Sequence, residues 1–252
     1  MTIIRKLLTA ASLAALSGTA AVAAPASGPV RNVVLVHGAF ADGSGWLPVA
    51  EILRKDGYTV SIVQEPETSL ADDVAAANRV LDRQSGPAVL VGHSYGGAII
   101  TEAGNNAHVA SLVYVAAFAP DEGEQLGPLT GSKPPAGKSV GPVGGGYLAV
   151  DPAQFHADFA ADVPAAQAQF MAISQVPING VIFGTPVTAP AWKSKPTFGI
   201  VSTEDRMINP DLERSMYARA KAKVTELKGS HAIFLSQPQR VAEVIEQAAR
   251  AG

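Results

Sequence analysis

The sequence predicts an α/β fold in which a mostly parallel central sheet is flanked by helices. Six short segments are almost continuously apolar, which is typical of strands that are covered on both faces. Helical patterns alternate with these segments, and this alternation favours parallel strands joined by right-handed crossovers. The length of 252 residues, with 47% hydrophobic and 16% charged residues, suits one globular domain with a large buried core.

The predicted strands and helices follow one another in a regular order. The strands cover residues 31–36, 59–63, 87–91, 111–116, 198–202 and 223–227. The helices cover residues 46–55, 70–82, 98–104, 209–220 and 236–249. Ser69 is placed to cap the second helix, and Pro210 stands at the first helical position of the fourth, where proline is favoured.

An insertion interrupts this order over residues 119–195. More than half of the residues in 127–146 are glycine or proline, so we expect a loop there. Two short helices are predicted after it, over 151–160 and 164–174. A segment of this length with its own helices predicts a cap over the sheet. The alternative is a pair of ordinary crossover helices with a long loop.

The N-terminus resembles an export signal. Positive charge at Arg5 and Lys6 precedes a short apolar run over 7–16, and small residues follow as far as Ala24. We therefore expect residues 1–24 to be a signal peptide, although an uncleaved tether is the alternative. Residues 25–252 would then form a single domain, exported to a periplasm or secreted.

Composition excludes several classes of function. The chain has no cysteine, which excludes disulfides, a cysteine nucleophile, a thiolate metal site and a lipid-modified cysteine. A formal net charge of −3 leaves no basic footprint for nucleic acid or for an anionic membrane. We therefore expect no nucleic-acid partner and, after signal cleavage, no membrane partner.

A candidate nucleophile lies in the pentapeptide Gly92-His93-Ser94-Tyr95-Gly96, which matches the pattern G-x-S-x-G. The motif directly follows a predicted strand and precedes a helix, as a nucleophile elbow requires. A serine on so sharp a turn takes a strained backbone conformation, and glycines on both sides prevent collisions. The alternative is a glycine-rich turn with an idle serine.

A serine nucleophile needs a base, and His231 is the best candidate of five histidines. It follows the last predicted strand, at the carboxyl edge of the sheet that also carries Ser94. A helix-capping role is its alternative. The other four lie at a strand end, inside the elbow, in a polar loop and on a cap helix: His37, His93, His108 and His156.

The acid that orients the base is predicted to be Asp205, in the loop after the penultimate strand. Glu204 stands beside it, and Asp211 is better explained by stabilisation of the next helix. Asp121 follows the strand after the nucleophile and remains a rival.

Two backbone N–H groups are predicted to stabilise a developing oxyanion. One belongs to Tyr95, directly after the nucleophile, and the other to Ala39, after the tight His37-Gly38 turn. A mere strand-end turn is the alternative for Ala39. The predicted substrate-binding side chains are Phe40, Trp46, Phe118 and Trp192, although each of the last three is also compatible with a core position.

Four segments carry a resemblance to a known family: VVLVHGAFADGSGW, VGHSYGGAI, STEDRMI and KGSHAIFLSQP. In order and spacing they resemble the α/β-hydrolase superfamily, and within it the plant methylesterases and hydroxynitrile lyases with their bacterial esterase relatives. The resemblance covers nearly all of the chain after the signal and least securely the cap. It implies the α/β-hydrolase fold with a helical cap, a cofactor-free Ser94–His231–Asp205 triad, and a small, mostly apolar pocket.

Two departures favour the hydrolytic branch of that subgroup. The lyases resemble one another in having Thr after the first-strand His and Lys after the catalytic His, whereas this chain has Gly38 and Ala232. We therefore expect a serine hydrolase that cleaves small carboxylic esters through an acyl-enzyme. The alternatives are a lyase or amide-cleaving enzyme on the same scaffold and a non-catalytic ligand-binding protein. The cap also offers a surface for a homodimer.

Overall fold

A computed structural model describes residues 30–252 of the chain. The predicted signal peptide over 1–24 and the first residues of the predicted domain lie outside the described residues. Within 30–252, no helix is both long enough and apolar enough to cross a membrane.

The central sheet has six strands, all parallel. They are β1 (Asn32–Val36), β2 (Thr59–Val63), β3 (Ala88–His93), β4 (Val109–Val115), β8 (Thr197–Ser202) and β9 (Lys223–Leu227). Their order in the sheet is β2-β1-β3-β4-β8-β9. Every residue of β1, β3 and β8 is buried, so these strands are covered on both faces, as their apolar sequences predict.

Helices connect and cover these strands. They are α1 (Leu47–Lys55), α2 (Leu70–Leu81), α3 (Gly96–Ala103), α7 (Pro210–Arg219), α8 (Ile233–Ser236) and α9 (Pro238–Ala249). α1 packs against α9, and α2 packs against α3. The Ser69 side chain accepts a hydrogen bond from the N–H of Asp72, which is the predicted cap of α2. The predicted α/β fold is confirmed.

The segment between β4 and β8 carries its own elements. They are α4 (Leu126–Ser132), β5 (Val140–Gly144), β6 (Tyr147–Val150), α5 (Pro152–Phe159), α6 (Ala165–Ser174) and β7 (Ile178–Asn179). β5, β6 and β7 form a separate antiparallel sheet. The loop predicted over 127–146 is therefore wrong in part. Gly144, Gly145 and Gly146 all have positive φ, and these glycines make the turn of a hairpin.

The strand order of the sheet reverses at one point, and a ligand site is expected there. The chain passes from β1 to β2 on one side, and then returns to add β3 on the other side of β1. Crevices at such a reversal, outside the carboxyl ends of the strands, are the usual ligand sites of open α/β sheets. The loop after β1 and the serine turn after β3 both emerge there.

Candidate active site

Ser94 is held in a strained conformation between β3 and α3. Its φ is +54°, a region that non-glycine residues rarely adopt. A Cβ on Gly96 would lie 2.3 Å from the carbonyl oxygen of His37, and a Cβ on Gly38 would lie 2.6 Å from the Cβ of Ser94. Only glycine permits this close approach, which brings the loop after β1 against the serine.

His231 and Asp205 form a buried pair. Nδ1 of His231 lies 2.6 Å from Oδ2 of Asp205, and both side chains are almost wholly buried. The other carboxylate oxygen accepts hydrogen bonds from the backbone N–H groups of Met207 and Ile208, at 2.7 and 2.9 Å. The ring therefore donates its Nδ1 proton to the carboxylate, which leaves Nε2 as a proton acceptor.

Ser94 and His231 line the same cavity. Among the residues that the structure describes, no hydrogen bond joins the serine hydroxyl to the imidazole. Such bonds are often long in ligand-free sites and shorten when substrate binds. Ser94 and His231 thus border one cavity, Asp205 lies behind the imidazole, and of the two contacts in the triad only the one between His231 and Asp205 is already made.

His93 supports the loop that carries His231. Its Nε2 lies 3.0 Å from the carbonyl oxygen of His231, 138 positions along the chain. The two imidazole rings lie 4.6 Å apart, and the His93 ring also packs on Phe234 at 4.5 Å. Complete burial, with a smaller effect of His231, lowers the pKa of His93 well below its usual value. A neutral ring with its proton on Nε2 therefore ties the elbow to the His231 loop.

The two predicted oxyanion donors also border the cavity. Ala39 and Tyr95 both line it, next to Ser94. The side chain of Tyr95 is buried, and its hydroxyl donates a 2.5 Å hydrogen bond to Oδ2 of Asp73 on α2. This anchor fixes the residue whose backbone N–H is predicted to face the oxyanion.

Behind the loop after β1 lies a cluster of buried carboxyl groups. Glu65, Glu67 and Asp73 are all buried, and Nδ1 of His37 lies 3.1 Å from an oxygen of Glu65. Burial, followed by the neighbouring Asp73, raises the pKa of Glu67 to about 9, and burial lowers the pKa of His37 to about 4. Within residues 30–252, no group of three His, Asp or Glu side chains is arranged to hold a metal ion. With these pKa values, the side chains of Glu67 and His37 are both neutral near pH 7.

The cavity has a volume of about 520 Å³ and a mostly apolar wall. The elbow lines it together with Phe40 from the loop after β1 and Phe118 from the segment after β4. The cap contributes Val140 and Leu148, and the loop after β8 contributes further apolar side chains, Met207 and Ile208. A cavity of this size can enclose a small organic molecule.

Two of the predicted substrate-binding residues lie elsewhere. Trp46 is 1% exposed and packs on the rings of Phe234 and His93. Trp192 is buried, and its indole N–H donates to the carbonyl oxygen of Pro120. Neither borders the cavity. Both large rings are used in the core, where Trp192 bonds to the backbone, whereas the indole N–H of Trp46 makes no hydrogen bond within the described residues.

Asp121, the alternative candidate for the triad acid, lies at the surface and is paired with another side chain. It forms a 2.7 Å ion pair with Lys193, and its side chain is 30% exposed. His156 likewise has a structural partner, since its Nε2 lies 3.0 Å from the carbonyl oxygen of Val163. The structure brings Asp205, and not Asp121, to His231.

The sequence reasoning missed the carboxyl cluster and the cap side of the cavity. One signal was present for the cluster, since Glu65 stands two positions after β2, at the carboxyl edge where polar residues collect. No comparable signal marked Val140 or Leu148, because their contact with the cavity depends on how the cap hairpin folds back.

Comparison with known proteins identifies the family. A model of the alpha/beta hydrolase family matches residues 33–244. A curated relative, a carbendazim-hydrolysing esterase from Nocardioides sp. (strain SG-4G), is 32% identical over 135 residues, which is 48% of this chain and 55% of the relative. The match thus spans about half the length of that relative.

Solved structures share the fold over most of the chain. A pyrethroid hydrolase from Sphingobium faniae JZ-2 superposes with a TM-score of 0.75 at 25% identity, covering 88% of this chain and 98% of that one. A methylesterase from Arabidopsis superposes with a TM-score of 0.72 at 18% identity, covering 87% of this chain and 98% of that one. The predicted family resemblance is confirmed, and this chain belongs to the alpha/beta hydrolase family.

Proposed function

We propose that this protein is a serine hydrolase that cleaves carboxylic esters, with Ser94 as nucleophile, His231 as general base and Asp205 as the orienting acid. One observation carries the proposal. A strained serine and the imidazole of a buried His–Asp pair border the same apolar cavity. A strained backbone at a cavity and an oriented imidazole are each typical of a nucleophilic site.

The geometry supports a two-step reaction. Ser94 Oγ attacks the ester carbonyl carbon, and Nε2 of His231 takes the hydroxyl proton. The backbone N–H groups of Ala39 and Tyr95 would stabilise the oxyanion that forms. The imidazolium then returns its proton to the alcohol, which leaves. Water, deprotonated by the same nitrogen, attacks the acyl-enzyme and releases the carboxylic acid.

The cavity lining favours a mainly apolar substrate. Phe40, Phe118 and Leu148 offer surface for an acyl or alcohol group, and Lys138 is the charged side chain that joins His231 in the lining. The named substrates of two similar proteins, carbendazim and pyrethroids, are in line with organic esters or carbamates of moderate size. We also propose that the protein acts after export and removal of residues 1–24.

The test is hydrolysis of p-nitrophenyl esters by the purified protein and its Ser94→Ala variant. Deleting the nucleophile of a triad costs about 10⁶ in kcat, so we expect a loss of at least ~10⁴-fold in turnover. Ser132→Ala, at an exposed helix end, is the matched control and should leave the rate unchanged. A fluorophosphonate probe should label the wild type and the control but not Ser94→Ala. Undiminished turnover by Ser94→Ala would overturn the proposal.

A further inference from the structure

A second buried carboxyl group lies behind the triad acid. Glu213 is in the first turn of α7, eight positions after Asp205, and is 0% exposed. Within residues 30–252, neither of its carboxyl oxygens makes a hydrogen bond of normal geometry, although the backbone N–H of Ser202 lies nearby. Its carboxyl is instead a close neighbour of the carboxyl of Asp205. Two carboxyl groups thus lie side by side in a site that solvent does not reach.

Both groups cannot carry a negative charge there. Two adjacent, fully buried carboxylates without a cation would repel one another and leave an uncompensated charge. The nearest cationic side chain on the same helix, Arg214, is 40% exposed and forms its ion pairs with Asp211 and Glu226. One of the two carboxyl groups must therefore hold a proton.

The distribution of hydrogen-bond donors indicates which of the two carboxyl groups holds the proton. Asp205 faces three N–H groups, from Met207, Ile208 and His231, and each stabilises a carboxylate. Glu213 faces none of these. Burial, followed by the charge of Asp205, raises the pKa of Glu213 well above its usual value. A protonated Glu213 can then donate its O–H to the carboxylate of Asp205.

We propose that Glu213 is a positioning residue of the catalytic site, which stays protonated at neutral pH and donates a hydrogen bond to the carboxylate of Asp205. The proposal rests on the proposed function, because its consequence is seen in the reaction of Ser94. The added donor limits how tightly Asp205 holds the imidazolium proton, and it fixes the carboxylate that orients His231. The other titratable group packed against Glu213 is Tyr217, whose hydroxyl is bonded to the backbone of Ala117.

The test compares two substitutions at this position. Glu213→Gln keeps an N–H donor for Asp205, and we expect ester turnover within about threefold of the wild type. Glu213→Met keeps the volume but removes the donor. We expect kcat to fall by about 10-fold or more, the size of one net hydrogen bond to a charged group, with KM nearly unchanged. The acid limb of its kcat/KM profile should move to higher pH, because Asp205 then holds the imidazolium proton more tightly.

Tyr217→Phe is the control for damage to α7. It removes hydrogen bonds between this helix and Ala117 and should lower stability without moving the pH profile. A second measurement does not depend on the folding of the Met variant. The infrared spectrum of the wild type at pH 7 should contain a protonated carboxyl band that Glu213→Gln lacks.

The outcomes separate the two proposals. If Ser94→Ala abolishes turnover but Glu213→Met keeps both the wild-type kcat and pH profile, Glu213 has no positioning role. Equal infrared spectra of the wild type and Glu213→Gln would show an ionised Glu213 and would also overturn it. If Ser94→Ala retains turnover, the proposed function itself fails.

Discussion

Buried carboxyl groups lie in two regions near Ser94, and their hydrogen-bonding environments differ. Asp205 is buried but faces backbone N–H groups and the His231 ring. Glu65 and Glu67 are also buried, yet within the described residues their carboxyl oxygens make no hydrogen bond of normal geometry, although Nδ1 of His37 lies 3.1 Å from Glu65. Burial alone therefore does not decide whether a carboxyl group carries charge. The number of hydrogen-bond donors around a buried carboxyl group also decides its charge, because each donor replaces part of the hydration that burial removes.

The two histidines next to these groups show the same contrast. His231 donates its Nδ1 proton to Asp205, so that its Nε2 can accept a proton during the reaction. His37 is also close to carboxyl groups, but burial lowers its pKa to about 4, so it remains neutral. A neutral ring among neutral acids provides packing and hydrogen bonding, whereas the pair at Asp205 can carry a charge during the reaction.

The largest expected effect comes from removing the charge of Asp205. Asp205→Asn keeps the shape but no longer stabilises the imidazolium or its tautomer, and we expect turnover to fall by up to ~10⁴-fold. Asp121→Asn is the control, since it only breaks an exposed ion pair with Lys193 worth at most about 1 kcal/mol. Steady-state ester hydrolysis measures both. The assignment of the acid is wrong if Asp121→Asn is the slower enzyme.

A smaller effect is expected where the carboxyl cluster meets the elbow. Tyr95→Phe removes the one side-chain donor that Asp73 has within residues 30–252, while the backbone N–H of residue 95 is retained. We expect the free energy of unfolding to fall by about 1–3 kcal/mol, with a loss of activity far below that of Asp205→Asn. Chemical denaturation gives the comparison with Tyr58→Phe, whose hydroxyl makes no hydrogen bond within residues 30–252. Equal stabilities of the two variants would mean that the Tyr95–Asp73 bond contributes nothing net.

The smallest effect concerns the pH dependence of stability. Glu67 has a pKa of about 9 when folded and 4.5 as its ordinary value. Below pH 4.5 both states hold the proton. Between these values only the folded state holds it, so stability falls as the pH rises, and it levels off above about 9. Glu65, Asp73, His37 and Tyr95 face the same cluster, and the raised pKa values of Glu65 and Asp73 act on stability in the same direction.

Glu67→Gln removes that contribution because an amide does not ionise. We expect the unfolding free energy of the variant, relative to that of the wild type, to be higher at pH 9 than at pH 5. Denaturant unfolding at the two pH values measures the difference. Glu51→Gln, at an exposed position on α1, should leave the pH slope unchanged. A parallel slope for Glu67→Gln and the wild type would indicate that the folded cluster is ionised.

Local patterns were sufficient for much of the fold and for the principal candidates at the site. The apolar strands, the capped helices and the glycine-flanked Ser94 are each encoded within a few neighbouring residues. Because parallel strands end at one edge, the loops carrying Asp205 and His231 were also predicted to lie beside it. Where these patterns ended, as in the cap, the prediction of a plain loop over 127–146 failed.

By itself, then, the sequence determined the α/β class, the elbow at Ser94 and the order of the three candidate side chains along the chain. Only the tertiary structure decided between Asp205 and Asp121 as the partner of His231, moved Trp46 and Trp192 into the core, and brought Glu213 against Asp205. The physical reason is that periodicity and turn chemistry act over a few residues. Burial, donor count and proximity between distant side chains arise only when strand register and helix packing are set together.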